Sequence, residues 1–329
     1  MIQRTFLQQL TEEGSKTMRV LAIDSSGLTA TVAVVEDEQT IAEYTVNYKK
    51  THSQTLLPMI DEVKKMIDLD LSSIDAIAVS GGPGSFTGLR IGSATAKGLG
   101  LALGKPLIHV PTVDTLAYNV YGCGDLICPI MDARRKQVYT GLYSFSHEVK
   151  DGTHLTEAAF HVEEQQMAIA VEELIGKLNA YKRPVVFLGD GVPVYRQMLE
   201  EGLEVPYSFA PSYMNRQRAA VVGALGIAYY YAGKYETAEA HKPDYLRVSQ
   251  AERERAQREK EAKTEVREMT IEDGAVVAEI EHQSFSDAWS EKAILETLEQ
   301  NNSVCFVAEK AGKRVGYLLC LLYTSDAAD

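Results

Sequence analysis

Two stretches of this chain follow one plan, and that repetition limits its fold more than any other feature. Residues 19–35 (RVLAIDSSGLTATVAVV) run from an apolar strand into a polar turn at Asp24-Ser25-Ser26-Gly27. They leave through a second strand rich in β-branched residues. Residues 126–143 (LICPIMDARRKQVYTGLY) do the same, with Asp132 where the first stretch has Asp24. An uninterrupted apolar run suits a central strand covered on both faces. A unit that recurs in this way predicts a duplicated α/β architecture.

Helix and strand signals alternate around these units. Leu56, Met59, Ile60, Val63 and Ile67 form a helical stripe, with Ser53 as the expected N-cap and Pro58 near the first turn. An apolar strand over 74–80 leads into SGGPGSFTGLR (80–90), which opens a helix over 89–103. That helix carries Gly92, Ala94, Ala96, Gly98 and Gly100. A glycine inside a helix costs about 1 kcal/mol relative to alanine, so this composition predicts a close backbone approach. Further helices are expected over 167–178 and 219–231, with a strand over 184–189. Two such halves facing each other across a cleft resemble the actin-like (ASKHA) fold, with lobes of about 18–113 and 114–250.

The rest of the chain divides by composition. Residues 1–17 read as an extension, and Met18 is a second candidate start. Residues 251–265 alternate in charge without an apolar stripe, as a linker or solvated helix does. Over 266–319 the expected order is strand, helix, helix and hairpin. Thr270 and Asp273 form a capping-box pattern at the first helix, which should reach about residue 285. A second helix follows Ser290, and a hairpin of 304–309 and 315–319 turns at Ala311-Gly312.

Charge narrows the function classes. A formal charge of −13 over 329 residues disfavours a chain that grips nucleic acid alone, because phosphate contacts need a basic face. The longest apolar stretch, 221–233, is shorter than the ~20 residues a bilayer span requires. Residues 1–17 lack the apolar core and cleavage site of a signal peptide. Cys123, Cys128, Cys305 and Cys320 form no C-x-x-C pair and read as isolated thiols. The expectation is a cytoplasmic protein.

Four residues are candidates for a nucleotide or phosphate: Asp24, Gly82, Gly84 and Asp132. Glycine loops free backbone N–H groups for an anion at a helix start. Resemblance to actin-like ATPases implies that aspartates at such strand ends could hold a metal–phosphate through water, and Arg134 and Arg135 can pair with Asp132 or reach a phosphate. The same residues equally suit a tight turn with no ligand, since neither the G-x-x-x-x-G-K-[ST] nor the G-x-G-x-x-G spacing is present. No metal site is expected. His109 stands alone, and His52, His147, His154, His161, His241 and His282 form no ligand-spaced pair.

LAIDSS (21–26), THSQTLLP (51–58), GGPGSFTGLRIG (81–92), MDARRKQVY (131–139) and KPDYLR (242–247) together resemble the TsaB (YeaZ) family over residues 18 to about 250. The resemblance implies an actin-like fold and a non-catalytic scaffold subunit that pairs with the related TsaD. With TsaE, that complex transfers threonylcarbamoyl to N6 of the adenosine next to the anticodon in ANN-decoding tRNAs. It implies ATP and a metal in the partner, no cofactor held by this chain, no membrane, and tRNA contact through the complex only. Pairing of two copies of this chain stays open. TsaD's metal-binding H-x-x-x-H pair would fall at 107–114, where this sequence reads LIHVPTVD. The expected interface is the stripe Leu56, Met59, Ile60 and Val63 together with Gly92, Ala96 and Gly100. The alternative is an autonomous enzyme, either a glycoprotease-like metallopeptidase or an actin-fold ATPase or kinase.

REMTIEDGAVVAEIE (267–281), SFSDAWS (284–290) and VAEKAGKRVGYLL (307–319) resemble the first part of a RimI-type ribosomal-protein N-acetyltransferase (GNAT) domain. A complete domain of that kind uses acetyl-CoA, held by a Q/R-x-x-G-x-G/A turn that does not occur here. The last residues, CLLYTSDAAD (320–329), read as a translated sequencing adapter that truncates a longer gene.

Overall fold

The structure is a computed structural model that describes residues 17–48, 50–149, 156–246, 264–310 and 312–322. The expected extension before residue 17, nearly all of the charged linker and the adapter-like end beyond residue 322 lie outside the described residues. By contact the chain forms two compact units, Met1–Arg247 and Val248–Asp329.

In the first unit, β1 (Arg19–Asp24), β2 (Ala30–Glu36), β3 (Gln39–Val46), β4 (Ala76–Gly82) and β5 (Leu107–Pro111) form a sheet of order β3-β2-β1-β4-β5. The antiparallel pairs are β1–β2 and β2–β3, and the parallel pairs are β1–β4 and β4–β5. A second sheet holds β6 (Leu126–Asp132), β7 (Gln137–Val149), β8 (Thr156–Ala170), β9 (Val185–Leu188) and β10 (Tyr207–Phe209). Its order is β8-β7-β6-β9-β10, with the same sequence of antiparallel and parallel pairings. The duplication expected from two strand–Asp–turn units therefore extends over two whole sheets.

Helices follow the same repeat. α1 (His52–Met66), α2 (Phe86–Leu103) and α3 (Thr112–Tyr118) come after β3, β4 and β5. α4 (Val171–Tyr181), α5 (Val192–Gly202) and α6 (Ala219–Tyr231) come after β8, β9 and β10. The last helix of each repeat crosses to the other one. Val113, Leu116 and Ala117 of α3 pack with Ile127, Met131 and Tyr143 of the second sheet. Val222 and Leu225 of α6 pack with Val20, Ala22 and Val35 of the first. A division at residue 114 therefore cuts α3 after its first two residues, leaving most of it with the second sheet on which it packs, but places α6 in the second lobe although its apolar surface is buried on the first sheet.

Several boundaries differ from the sequence expectation. Thr51, not Ser53, is the N-cap of α1, and Pro58 lies inside the helix on its exposed face. α2 starts at Phe86 because Ser85 takes the cap and accepts from Gly88 N at 3.3 Å. Residues 167–170 extend β8 instead of opening a helix, since Thr140, Tyr139, Val138 and Gln137 of β7 supply partners for them.

The second unit pairs β11 (Thr264–Glu268), β12 (Ser303–Lys310) and β13 (Lys313–Leu321) antiparallel, in that order, with α7 (Gly274–Ser284) and α8 (Glu291–Leu298). Met269, Val277, Ile294 and Val307 form its core. The buried Asp273 carboxylate receives Thr270 N at 2.9 Å, Arg267 at 2.7 and 2.8 Å and Arg314 at 3.0 Å. Chiefly through Arg267, its pKa is held far below the usual carboxylate range.

Candidate functional site

The ends of β1 and β4 bring Asp24, Gly82 and Gly84 together. Asp24 is fully buried and accepts from Ser26 N at 2.8 Å, Ser26 Oγ at 2.7 Å and Ser80 Oγ at 2.5 Å. Burial raises its pKa, and the three hydrogen bonds oppose that rise. The glycine loop is filled by the protein's own backbone. Ser85 N donates to Ser26 O at 2.6 Å, and Asp244 N donates to Gly81 O at 2.7 Å. A Cβ on Gly82 would overlap the Asp244 carbonyl, and one on Gly84 the Ser26 carbonyl. The geometry is that of a closed turn.

Asp132 occupies the equivalent place in the second repeat, in a different setting. Its Oδ1 accepts from Arg134 N and from Tyr195 OH, both at 2.8 Å, and Arg134 Nη1 lies 3.3 Å from Oδ2. Burial first, then the hydrogen bond to Asp132, pushes the Tyr195 phenol up to about 12. Arg134, Arg135 and Lys136 all take left-handed backbone angles, with φ of 66°, 56° and 56°. Residues with a Cβ rarely adopt that region. The turn presents three exposed cationic side chains to solvent.

Where the repeats meet, a cavity of about 410 Å³ is lined by His109, Asp114, Tyr118, Phe160, Tyr229 and Lys234 among others. Asp114 accepts from Tyr143 OH at 2.7 Å and Tyr229 OH at 2.9 Å, so one carboxylate joins α3, β7 and α6. Burial raises the pKa of Asp114 and, for the same reason, that of Tyr118, to about 12. Neither Asp114 nor its tyrosines carry a recognisable sequence signal.

His109 does not stand alone in space. Its ring centroid lies 5.8 Å from that of His241, and ligand atoms of His109, Glu236 and His241 all fall within 4.8 Å of one another. Burial first, then His241, lowers the pKa of His109. Spacing along the chain could not reveal this cluster, because Glu236 and His241 follow α6 on the segment that returns to the first repeat.

The expected interface stripe faces inward. Leu56, Met59, Ile60 and Val63 are at most 5% exposed and pack on Ile23, Val32 and Val34 of their own sheet. Ala96 is 0% exposed, and a Cβ on Gly92 would lie 2.5 Å from Ser25 Oγ. One on Gly100 would overlap Leu107. The small residues serve close packing of α2 on its own sheet, which removes all seven as partner contacts. The outward face of α2 is Ala94, Gly98, Leu101 and Ala102, and the exposed side of α1 includes Leu57 and Met66.

Comparison with known proteins bears on this architecture. The family model of TsaD, tRNA N6-adenosine threonylcarbamoyltransferase, matches residues 39–255. The tRNA threonylcarbamoyladenosine biosynthesis protein TsaB of Bacillus subtilis is 34% identical over 237 residues, which covers 71% of this chain and 96% of that protein. The protein of the same name from Haemophilus influenzae is 29% identical over 196 residues, covering 56% of this chain and 78% of its own length. The solved structure of YeaZ from Pseudomonas aeruginosa superposes with a TM-score of 0.56 at 26% identity, over 70% of this chain and 100% of YeaZ.

Proposed function

The chain belongs to the TsaB/YeaZ family, and on that footing we propose that it is the non-catalytic scaffold partner of TsaD. It is a subunit of the tRNA threonylcarbamoyladenosine biosynthesis machinery. Relatives favour this role over a free-standing metallopeptidase, ATPase or kinase. The observation that carries the scaffold reading is the closed turn at Asp24, Gly82 and Gly84, where carboxylate and loop are filled by internal partners. Catalysis then rests with TsaD, supported by TsaE and ATP, and the N6 amine of the tRNA adenosine is modified there. A net charge of −13 fits a subunit that leaves RNA contact to its partner.

The docking surface is the outward face of α2 beside the exposed side of α1. A Cβ on Gly98 meets nothing within 4 Å, so a large side chain there leaves the fold intact and obstructs only a partner. Gly98→Trp should weaken TsaD binding about 5- to 150-fold, the equivalent of 1–3 kcal/mol of overpacking. Ala96→Trp, aimed into the core, should instead lower the melting temperature. Unchanged TsaD affinity in folded Gly98→Trp would move the interface elsewhere.

For residues 264–322 the proposal is the opening part of an N-acetyltransferase domain. The strand–helix–helix–strand–strand order with β12 central supports it. Residues 264–322 contain no Q/R-x-x-G-x-G/A turn, so these residues should by themselves bind no acetyl-CoA in calorimetry, and measurable binding would overturn that reading.

A further inference from the structure

We propose that His109, Glu236 and His241 bind a divalent transition-metal ion of the zinc class. Two imidazoles and one carboxylate form a donor set suited to such ions, with room left for water. The three ligand atoms already lie within 4.8 Å of one another. This is not an H-x-x-x-H pair on one element: β5 supplies the first ligand and the returning segment supplies the other two.

What surrounds the ligands resembles the support of a metal centre. Metal-binding histidines usually have their second nitrogen held by a hydrogen bond, which fixes the ring. His241 is fully buried at its side chain, with Nδ1 2.7 Å from Glu236 Oε1 and Nε2 3.0 Å from Ser93 Oγ. The Ser93 hydroxyl can donate or accept, so it serves Nε2 when Nδ1 takes a metal. His109 is hydrogen bonded to the Lys242 backbone. Its ring lies against Gly81, where any Cβ would occupy the imidazole's place. Among the described residues Glu236 has no lysine or arginine ion pair, its one ion-pair partner being His241. The nearby Lys97 Nζ is engaged by the carbonyls of Glu239 and His241, at 3.0 Å each. His109 also borders the cavity beside Asp114 and Tyr229, and Glu236 borders a separate surface pocket next to Gly100 and Pro106.

An ion here would staple the segment after α6 to β5 and, through Ser93, to α2. That segment carries Asp244, whose N–H closes the glycine loop.

The test uses the full, untagged chain, stripped with a chelator and titrated with Zn²⁺ in a calorimeter without TsaD, so its outcome is independent of the scaffold reading. One equivalent per chain is expected, and Co²⁺ in its place should give the ligand-field absorption of a low-coordinate nitrogen–oxygen site. His109→Ala and Glu236→Gln should each weaken Zn²⁺ binding at least tenfold. Ser93→Ala removes no ligand and should weaken it about 10- to 100-fold by releasing the His241 ring. Because His109 is only partly buried, His109→Ala tests the site even if the Ser93 or Glu236 variant fails to fold. Absence of stoichiometric Zn²⁺ uptake by the wild type would overturn the proposal, and so would binding unchanged in His109→Ala.

Discussion

The two repeats of the first unit share strand order, pairing sense and helix placement, yet the aspartate that ends the first strand has opposite surroundings in each. Asp24 is sealed, with Ser26 and Ser80 as its donors. Asp132 sits beside a basic turn whose first arginine is 87% exposed at its side chain. The glycine loop after β4 and the first turn of α2 accompany the difference: Gly84 lies against the Ser26 carbonyl and Gly88 against that of Ser25, and Asp24 has no exposed surface. In the second repeat, glycines after β9 press on the Ile130 carbonyl, two residues before Asp132, and leave the turn itself open. Duplicated topology thus preserves where a carboxylate is placed but not whether it can meet a ligand.

Matched substitutions test that contrast most directly. Asp24→Ala strips the acceptor from three buried donors, and each unsatisfied donor costs about 1–3 kcal/mol. It should therefore unfold the first unit at markedly lower urea. Asp132→Ala removes an ion pair with an exposed arginine, worth about 0–1 kcal/mol, while Tyr195 OH keeps Gln137 O at 3.2 Å as an acceptor. Equal urea midpoints for the two variants would break the comparison.

A smaller effect should appear with pH. The folded-state pKa of Asp24 is raised above its ordinary value of 3.8, so between those two values the native state holds a proton that the unfolded chain has released. Its contribution to stability is therefore greatest below about pH 4 and falls as pH rises through the folded pKa. Asp24→Asn lacks this titration. Its stability relative to wild type should improve as pH is raised from 4 toward neutrality, measured by urea midpoints across that range. A difference that stays flat would mean that Asp24 is ionised as readily as a solvent-exposed carboxylate.

Much of the scaffold is legible in the sequence. Apolar runs ending at Asp24 and Asp132 marked the two central strands, and the small residues of 89–103 marked a close helix contact. Thr270 and Asp273 marked the start of the second unit's first helix, and the hairpin of β12 and β13 falls where its turn residues placed it. The stripe at Leu56, Met59, Ile60 and Val63 was also legible as a stripe. What it faced was not: periodicity shows that one side of a helix is apolar, but both a partner and the protein's own sheet would satisfy it.

The sequence by itself determined the repeated strand–Asp–turn unit, the alternation of helix and strand, and the glycines that permit close packing. These are local properties, written in adjacent residues through side-chain periodicity and backbone sterics. Only the tertiary structure decided that α3 and α6 exchange sheets, that Asp24 is sealed while the turn beside Asp132 is exposed, and that Glu236 and His241 meet His109. Those outcomes depend on which apolar surface covers which, a competition among distant segments of similar hydrophobicity. Spacing along the chain carries no record of how it is resolved.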